Sequence, residues 1–321
     1  MISKFKGRDV ISVNDFSRDE IDFILDYSSL FELKKEGVEE LMKNKIMLPA
    51  FFENSSRTTL SFDVAMRRLG GQVSDFDPER SSRGKGESLW DTAITINNYS
   101  FDVVVVRERR DGVARLFADI IEAPVINAGD GINEHPTQTF LDLYTIKKKI
   151  GRIDGLEIAI VGDLKYGRTV HSLANALKKY KDCKVYFISP QETKLTESFV
   201  NQLKEDKLNF EELDIKNLED ILGKIDAIYM TRVQRERFPE GVEGEFQYKK
   251  VISQYCLTKD MLDRAKLRKN FIILHPRPRR QELPKSLDNT PYSAYIKEQE
   301  KAGLYVRMGL INLIAGDKFL C

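Results

Sequence analysis

Four consecutive valines, Val103–Val106, form the segment that most restricts how this chain can fold. A strand with one wet face alternates apolar and polar residues, whereas an unbroken β-branched run is buried on both faces. Such burial is typical of a parallel sheet covered by helices on each side. Apolar strand patterns alternate with helical patterns along the chain, at residues 46–52, 102–107, 124–127, 156–161, 184–188, 226–230 and 271–274. The alternation predicts an α/β fold built on parallel sheets.

Composition excludes several functional classes for these 321 residues. The 51 Lys and Arg residues nearly balance the 50 Asp and Glu residues, and a net charge of +1 argues against general nucleic-acid binding. The longest clean apolar run, at residues 46–52, is far shorter than the ~20 residues of a membrane span, and the N-terminal residues carry no signal core. The cysteines, Cys183, Cys256 and Cys321, fit neither a disulfide framework nor a zinc site. We therefore expect a cytoplasmic protein without nucleic-acid partner, membrane contact or metal.

The segment at residues 151–155, with a glycine at each end, divides the patterns into two α/β series. A capping box of Ser17 and Glu20 begins the first helix, and a proline in its first turn begins the helix at Pro136–Ile150. Two separate helices are predicted near the end, at residues 291–299 and 304–315. Because ligands bind at the carboxyl ends of parallel strands, the segments that follow strands are the candidates for a functional site.

The first of these segments reads Ser55-Ser56-Arg57-Thr58-Thr59 and leads into a helix predicted at Arg57–Leu69. The free amides and the dipole of a helix start attract an anion, and an arginine fork fits phosphate. The segment therefore predicts an anion site. The alternative is an ordinary hydroxyl cap beside a surface arginine.

Two further strands are followed by residues suited to an anion. Arg107 comes directly after the valines, where it either meets solvent or provides a fixed cation. His135-Pro136-Thr137-Gln138 follows the strand at residues 124–127, and the proline places His135 at a helix start. Gln138 lies one helical turn further and can point the same way. A structural role for a lone histidine is the alternative.

The second series offers a loop that nearly matches a phosphate-binding motif. Residues 162–169 differ from G-x-x-x-x-G-K-[ST] because Arg168 stands where the motif has lysine. A phosphate-loop nucleotidase is therefore an alternative function, although Asp226 begins its strand and a magnesium ligand should end one. Arg232 and Gln234 follow that strand, and His-Pro-Arg-Pro-Arg-Arg follows the next at residues 275–280. Solvated surface charge is the alternative for both segments.

The sequence shows no nucleophile–base pair, no G-x-S-x-G, no metal-ligand cluster and no G-x-G-x-x-G loop. Six strand ends nevertheless carry an arginine or a histidine. This pattern predicts direct transfer between bound anions, catalysed by positioning and charge stabilisation and without a cofactor.

Taken in order, these motifs resemble the aspartate/ornithine carbamoyltransferase family. Ser55-Ser56-Arg57-Thr58 is similar to the family's Ser-Thr-Arg-Thr phosphate motif, and His135-Pro136-Thr137-Gln138 to its second motif. Residues 163–172 and 230–237 resemble the aspartate branch. His275-Pro276-Arg277-Pro278 lacks the cysteine of the His-Cys-Leu-Pro motif in the ornithine branch. The resemblance extends over nearly the whole chain.

The resemblance implies two doubly wound parallel-sheet domains, with the C-terminal helix packing back on the N-terminal domain. Residues 1–148 plus 291–321 would form a carbamoyl-phosphate-binding domain, and residues 149–290 an aspartate-binding domain. The implied reaction transfers the carbamoyl group of carbamoyl phosphate to L-aspartate, giving N-carbamoyl-L-aspartate and phosphate, the second step of pyrimidine biosynthesis.

The resemblance also implies a role for each site residue. The phosphate would be held by Ser55, Ser56, Arg57, Thr58 and Arg107. Arg57, Thr58, Arg107 and His135 would be catalytic, with Thr58, Arg107 and His135 polarising the carbonyl oxygen, and Gln138 would hold the carbamoyl amide. The aspartate carboxylates would be bound by Lys85, Arg168, Arg232 and Gln234. Ser81 and Lys85 would come from the adjacent subunit of a homotrimer with shared active sites.

Arg277 departs from the family, which has leucine or methionine between the two prolines. The backbone carbonyl at this position helps to orient the substrates in the family, and Pro278 follows it. We expect that Arg277 changes substrate affinity rather than the reaction. A carbamoyltransferase for another amino acid and a non-catalytic relative are alternatives, and the sequence leaves open whether a separate regulatory chain binds.

Overall fold

The computed structural model describes residues 1–34, 36–78, 85–235, 238, 240–252 and 255–320. The chain forms two compact units, Met1–Leu141 with Lys301–Cys321, and Asp142–Glu300. They are called unit 1 and unit 2 below. Within the described ranges no helix is long and apolar enough to cross a bilayer.

Unit 1 contains a parallel sheet whose described strands are β1 (Ile46–Phe51), β2 (Gln72–Val73), β3 (Val103–Glu108) and β4 (Val125–Asp130). Their order across the sheet is β2-β1-β3-β4, and all pair in parallel. Val103–Val106 have no exposed surface, which confirms a strand buried on both faces. The segments after β1 and β3 therefore lie side by side at the carboxyl edge, the edge where the strands end.

Five described helices accompany this sheet. They are α1 (Arg18–Leu33), α2 (Ser56–Arg68), α3 (Leu89–Asn98), α4 (Val113–Ile120) and α5 (Pro136–Ile150), which continues into unit 2. Of these, α2 packs against β1 and β2, and α4 against β3 and β4. The predicted capping box of α1 is present, because Glu20 N–H donates to the Ser17 hydroxyl and Ser17 N–H to the Glu20 carboxylate. Leu89 and Ala93 of α3 and Phe117 of α4 share one apolar core with Val104 and Val106.

Unit 2 contains a second parallel sheet, with β5 (Glu157–Val161), β6 (Lys184–Ser189), β7 (Asn209–Asp214), β8 (Ala227–Met230) and β9 (Ile272–Leu274). Their order is β7-β6-β5-β8-β9. The described helices are α6 (Arg168–Leu177), α7 (Glu197–Glu205), α8 (Leu218–Ile221), α9 (Val242–Ile252) and α10 (Lys259–Arg264). Because β5 lies between β6 and β8, the segments after β5 and β8 are neighbours at the carboxyl edge.

The C-terminal segment is one helix, α11 (Ala294–Ala315), so the prediction of two helices was wrong. Gly303 is a place of close packing rather than a stop, because a Cβ there would lie 2.7 Å from Arg307 Nη1 and 3.2 Å from Leu141 Cδ2. The part of the helix after residue 300 belongs to unit 1, where Gly309 packs directly on Ser28. This confirms that the C-terminal helix packs back on the N-terminal part of the chain.

Asp226 precedes β8 and lies at the amino edge of the unit 2 sheet, opposite the edge that carries residues 162–169. Its carboxylate accepts hydrogen bonds from Arg152 Nη2 and Arg268 Nη1, both at 2.9 Å, and from Glu157 N–H at 3.0 Å. Burial acts to raise the pKa of Asp226, but these donors outweigh it and hold the pKa below its usual value. Asp226 is therefore an ion-pair residue and no magnesium ligand of a nucleotidase.

Replacing Asp226 by asparagine should lower the free energy of unfolding by about 2 kcal/mol at neutral pH, because two arginines lose their shared carboxylate. The lowered folded-state pKa means that this stabilisation is present above the usual value of 3.8 and is lost as the pH falls through the folded-state value. Urea unfolding at several pH values should therefore show wild type and variant converging in acid. Glu219→Gln, which removes an exposed partner of Arg264, should change nothing measurable at any of these pH values. Equal stability of wild type and Asp226→Asn at neutral pH would contradict the prediction.

Candidate active site

The segment after β1 presents hydroxyls and an arginine at the start of α2. Ser55 is the residue before the helix, and its hydroxyl makes no capping hydrogen bond to the first helical amides. The first turn contains no acidic residue, and Arg57 is exposed. Since the first amides of a helix have no partner within it, this turn can accept an anion without displacing a cap.

Arg107 is fixed at the carboxyl edge beside this segment. It pairs with Phe51 across the sheet, so the guanidinium starts next to the end of β1. Its Nη1 donates to the carbonyl oxygen of Ala128 at 2.9 Å, and its Nε lies 3.2 Å from Glu53 Oε2. Only 12% of the Arg107 side chain is exposed. A largely buried guanidinium held in this way is oriented before any ligand arrives.

His135 lies between β4 and α5, at the helix start that the sequence predicts, and the structure shows that it is buried. Its carbonyl oxygen accepts the amides of Gln138 at 3.0 Å and Thr139 at 3.2 Å, and its Nδ1 lies 3.5 Å from the Thr137 hydroxyl. Gln138 is also buried. His135 therefore immediately precedes α5 and Gln138 lies in its first turn, and α5 follows the carboxyl end of β4.

Two carboxylates that the sequence analysis missed hold the turn that carries His135. Glu134 accepts hydrogen bonds from the Ser12 hydroxyl at 2.6 Å and the Val13 amide at 2.9 Å. Asp130 accepts the Gly112 amide at 2.8 Å and the Glu134 amide at 3.2 Å. The turn is thereby tied to two separate segments of unit 1, at Ser12–Val13 and at Gly112, which fixes the position of His135.

Unit 2 places Arg168 at the start of α6, where its side chain is buried. The loop that leads there begins at Gly162, whose φ of +119° lies in the region that favours glycine. A Cβ at this position would lie 2.5 Å from the carbonyl oxygen of Thr231. The loop after β5 therefore runs directly against the loop after β8.

Asp163 joins these two loops, although the sequence analysis gave it no role. It is fully buried, and its carboxylate accepts the Tyr166 amide at 3.0 Å and the Gln234 amide at 3.3 Å. The Gln234 side-chain amide donates in turn to the Tyr166 carbonyl oxygen at 2.8 Å. Arg232 is half-buried in the second loop. The structure thus brings Arg168, Arg232 and Gln234 to one edge of unit 2.

The loop after β9 joins the same edge. Arg277 has a φ of +54°, and its peptide bond to Pro278 is cis. Its Nε lies 3.3 Å from Glu300 Oε1. His275 is buried and contacts Glu282 at 2.9 Å through Nε2. Burial lowers the pKa of His275 against the effect of Glu282, whereas the His275 hydrogen bond holds the pKa of Glu282 below its usual value against the effect of burial.

The two residues expected from an adjacent subunit lie away from these elements in sequence. Ser81 falls in residues 79–84, outside the described residues, and Lys85 follows them as an exposed residue ahead of α3. Among the residues that the structure describes, no group of three or more His, Cys, Asp or Glu side chains is arranged to hold a metal ion.

Comparisons with known proteins cover almost the entire chain. Residues 8–148 match the family model of the aspartate/ornithine carbamoyltransferase carbamoyl-P binding domain, and residues 154–314 match that of the Asp/Orn binding domain. The aspartate carbamoyltransferase catalytic subunit of Thermococcus onnurineus is 48% identical over 98% of both chains. The corresponding subunit of Methanocaldococcus jannaschii is 43% identical over 96% of this chain and 98% of its own.

Solved structures show the same relationship. Aspartate transcarbamoylase from Trypanosoma cruzi, in complex with carbamoyl phosphate and aspartate, has a TM-score of 0.90 and 32% identity over 98% of both chains. The catalytic subunit of the Methanocaldococcus jannaschii enzyme has a TM-score of 0.83 and 43% identity, over 95% of this chain and 97% of its own.

Proposed function

The chain belongs to the aspartate/ornithine carbamoyltransferase family, and we propose that it transfers the carbamoyl group of carbamoyl phosphate to the amine of L-aspartate. The products are N-carbamoyl-L-aspartate and phosphate, the second step of pyrimidine biosynthesis. The observation that carries the proposal is that each unit has oriented cations at the carboxyl edge of its sheet. Unit 1 matches the carbamoyl-P binding domain, and unit 2 matches the Asp/Orn binding domain.

In unit 1 we assign carbamoyl phosphate to the carboxyl edge. The helix start and the guanidinium forks bind the phosphate, and three donors polarise the carbonyl oxygen. Gln138 holds the carbamoyl amide. The phosphate ligands are Ser55, Ser56, Arg57, Thr58 and Arg107, and the carbonyl donors are Thr58, Arg107 and His135.

In unit 2 we assign the two carboxylates of L-aspartate to Arg168, Arg232 and Gln234, together with Lys85. The amine nitrogen attacks the carbonyl carbon, and the C=O electron pair moves onto oxygen, where the preplaced donors stabilise it. The pair then returns as the C–O bond to phosphate breaks. The departing phosphate accepts the amine proton, so no side chain is required as general base.

The proposal includes an assembly. We assign the chain to a cytoplasmic homotrimer in which Ser81 and Lys85 complete the site of the adjacent subunit. This assignment neither requires nor excludes a separate regulatory chain. We also keep the functional domain limits at residues 1–148 plus 291–321 for carbamoyl phosphate and 149–290 for aspartate.

A second candidate function, transfer to another amino acid, follows from Arg277. A cation added beside the substrate carboxylates would change which amino acid fits. The Arg277 guanidinium, however, lies 3.3 Å from Glu300, so a carboxylate of the protein already balances its charge. This contact favours an effect on affinity over a change of substrate.

Initial rates with carbamoyl phosphate and either L-aspartate or L-ornithine test the proposed function. We expect carbamoylated product with aspartate alone, because Arg168 and Arg232 suit a second carboxylate and repel a second amine. Product from ornithine, or only from other amino acids in a wider screen, would replace aspartate as the substrate. Hydrolysis of ATP with magnesium and no carbamoyl transfer would favour the nucleotidase.

A further inference from the structure

His275 makes three directed hydrogen bonds although no substrate role is assigned to it. Its Nδ1 accepts the backbone N–H of Arg277 at 2.7 Å, and its Nε2 lies 2.9 Å from Glu282 Oε1. The backbone N–H of His275 donates to Gln299 Oε1 at 2.9 Å. A backbone N–H is always a donor, so Nδ1 carries no proton. Nε2 therefore carries the proton and donates it to the Glu282 carboxylate.

Buried polar groups hold both the backbone and the ring of His275 in turn. The side-chain amide of Gln299 donates to Asp142 Oδ1 at 2.6 Å, and the Tyr229 hydroxyl donates to Asp142 Oδ2 at 2.9 Å. The carboxylate of Glu282 also accepts the Arg280 amide at 2.8 Å. The backbone of His275 is thus held through residues of α5, β8 and α11. Its ring is held separately, by Glu282 in the following loop.

Arg277, whose amide donates to the ring, has an unusual backbone conformation. Its φ of +54° is uncommon for a residue with a Cβ, and such a conformation persists only where its surroundings determine it. The bond from Arg277 N–H to His275 Nδ1 spans this position. Its acceptor is a ring that cannot rotate without breaking the contact with Glu282.

We infer that His275 is a positioning residue, which sets the affinity for aspartate by holding the backbone of Arg277 and Pro278 at the carboxyl edge of unit 2. The inference rests on the proposed function, because it takes aspartate to be bound at that edge. The group that acts is the Nδ1 acceptor. The size of the ring and the Glu282 contact matter only because they keep Nδ1 within hydrogen-bond distance of the Arg277 amide.

Two variants separate the acceptor from the rest of the ring. The terminal atoms of asparagine are attached to Cγ, as Nδ1 is, so His275→Asn keeps an acceptor for the Arg277 amide and loses the bond to Glu282. The terminal atoms of glutamine lie one bond further, as Nε2 does, so His275→Gln keeps a donor to Glu282 and loses that acceptor. We expect His275→Gln to raise the KM for aspartate about tenfold with little change in kcat, and His275→Asn to raise it less than about threefold.

Thermal unfolding and carbamoyl phosphate binding are measured on the same variants. A merely structural histidine predicts the larger effect for His275→Asn, because asparagine leaves the larger cavity and removes the ring donor to Glu282. Equal KM values for the two variants, or a higher one for His275→Asn, would overturn the inference. An inactive wild type refutes the proposed function instead, so the two failures are distinguishable.

A measurement on the wild-type protein tests the same inference without depending on whether the variants fold. The chain has three histidines, and nitrogen NMR of histidine-labelled protein distinguishes the two neutral tautomers of each. We expect the neutral Nε2–H form for His275 at neutral pH. The Nδ1–H form would overturn the inference, because it has no acceptor for the Arg277 amide.

Discussion

Replacing Arg107 by alanine should lower kcat for carbamoyl transfer about a thousandfold, the loss expected when a preplaced donor is removed from a developing oxyanion. The affinity for carbamoyl phosphate should fall as well, because the proposed function assigns the phosphate to the same guanidinium. The structure favours so large an effect because Arg107 is held by Ala128 and Glu53 and is 12% exposed. Steady-state rates at saturating aspartate and calorimetric titration with carbamoyl phosphate measure the two effects.

Two further variants make this result specific. Arg107→Lys keeps the charge and loses the planar fork, and its rate should lie between those of wild type and Arg107→Ala. Arg110→Ala removes an exposed cation three residues further along and should leave both parameters unchanged. Unfolding curves identify any loss of stability from leaving Glu53 without its partner. A folded Arg107→Ala protein with rates within about tenfold of wild type would exclude Arg107 from the site.

Lys85→Ala and Arg168→Ala should each be nearly inactive alone and should regain activity when the two chains are combined in one trimer. In the proposed homotrimer each shared site would take Lys85 from one chain and Arg168 from its neighbour, so a mixed trimer would hold one site with both residues. Random assembly of equal amounts makes about three quarters of the trimers mixed and leaves about a quarter of all sites intact. Co-expression with two different tags and tandem purification isolates the mixed trimers for assay.

The matched control combines Arg57→Ala with Arg168→Ala, two changes assigned to the same chain's share of a site. No mixed trimer then contains an intact site, so activity should stay at the level of the separate variants. Mixed Lys85 and Arg168 trimers with no recovery would contradict the shared site. Recovery in the Arg57 and Arg168 mixture would mean that Arg57 and Arg168 serve different chains' sites.

Much of the fold is visible in the sequence because apolar periodicity encodes it directly. The valines of β3 and the Pro136 start of α5 lie where the pattern places them. The edge strand β7 escaped prediction because half-exposed Phe210 and Leu213 are its only large apolar residues. The single helix α11 was divided in two because Gly303 reads as a stop unless its close contact with Leu141 is known.

The residues of the candidate site also fall into two groups, those that a local sequence pattern reveals and those that it does not. Arg107, His135 and Arg168 are recognisable because they follow strands or begin helices, and their charge or ring marks them for anion binding. Asp130, Glu134 and Asp163 carry no such mark, since each accepts a backbone amide from a segment at least 18 residues away. The Glu134 contact with Val13 joins residues 121 apart in sequence. No local pattern reveals a hydrogen bond that exists only after the chain has folded.

Unit 1 is discontinuous, and this determines the order in which the protein is completed as it leaves the ribosome. Unit 2 is one uninterrupted segment and can fold once residue 300 has emerged. Unit 1 has to wait for residues 301–321, because Gly7 N–H donates to Ile314 O and Lys6 Nζ to Gly316 O. Val306, Leu310 and Ile311, all fully buried in the finished protein, are among the last residues to reach it. The part of the nascent chain that is made first is therefore completed after unit 2, and the apolar surface that packs against residues 301–321 stays exposed until those residues have emerged.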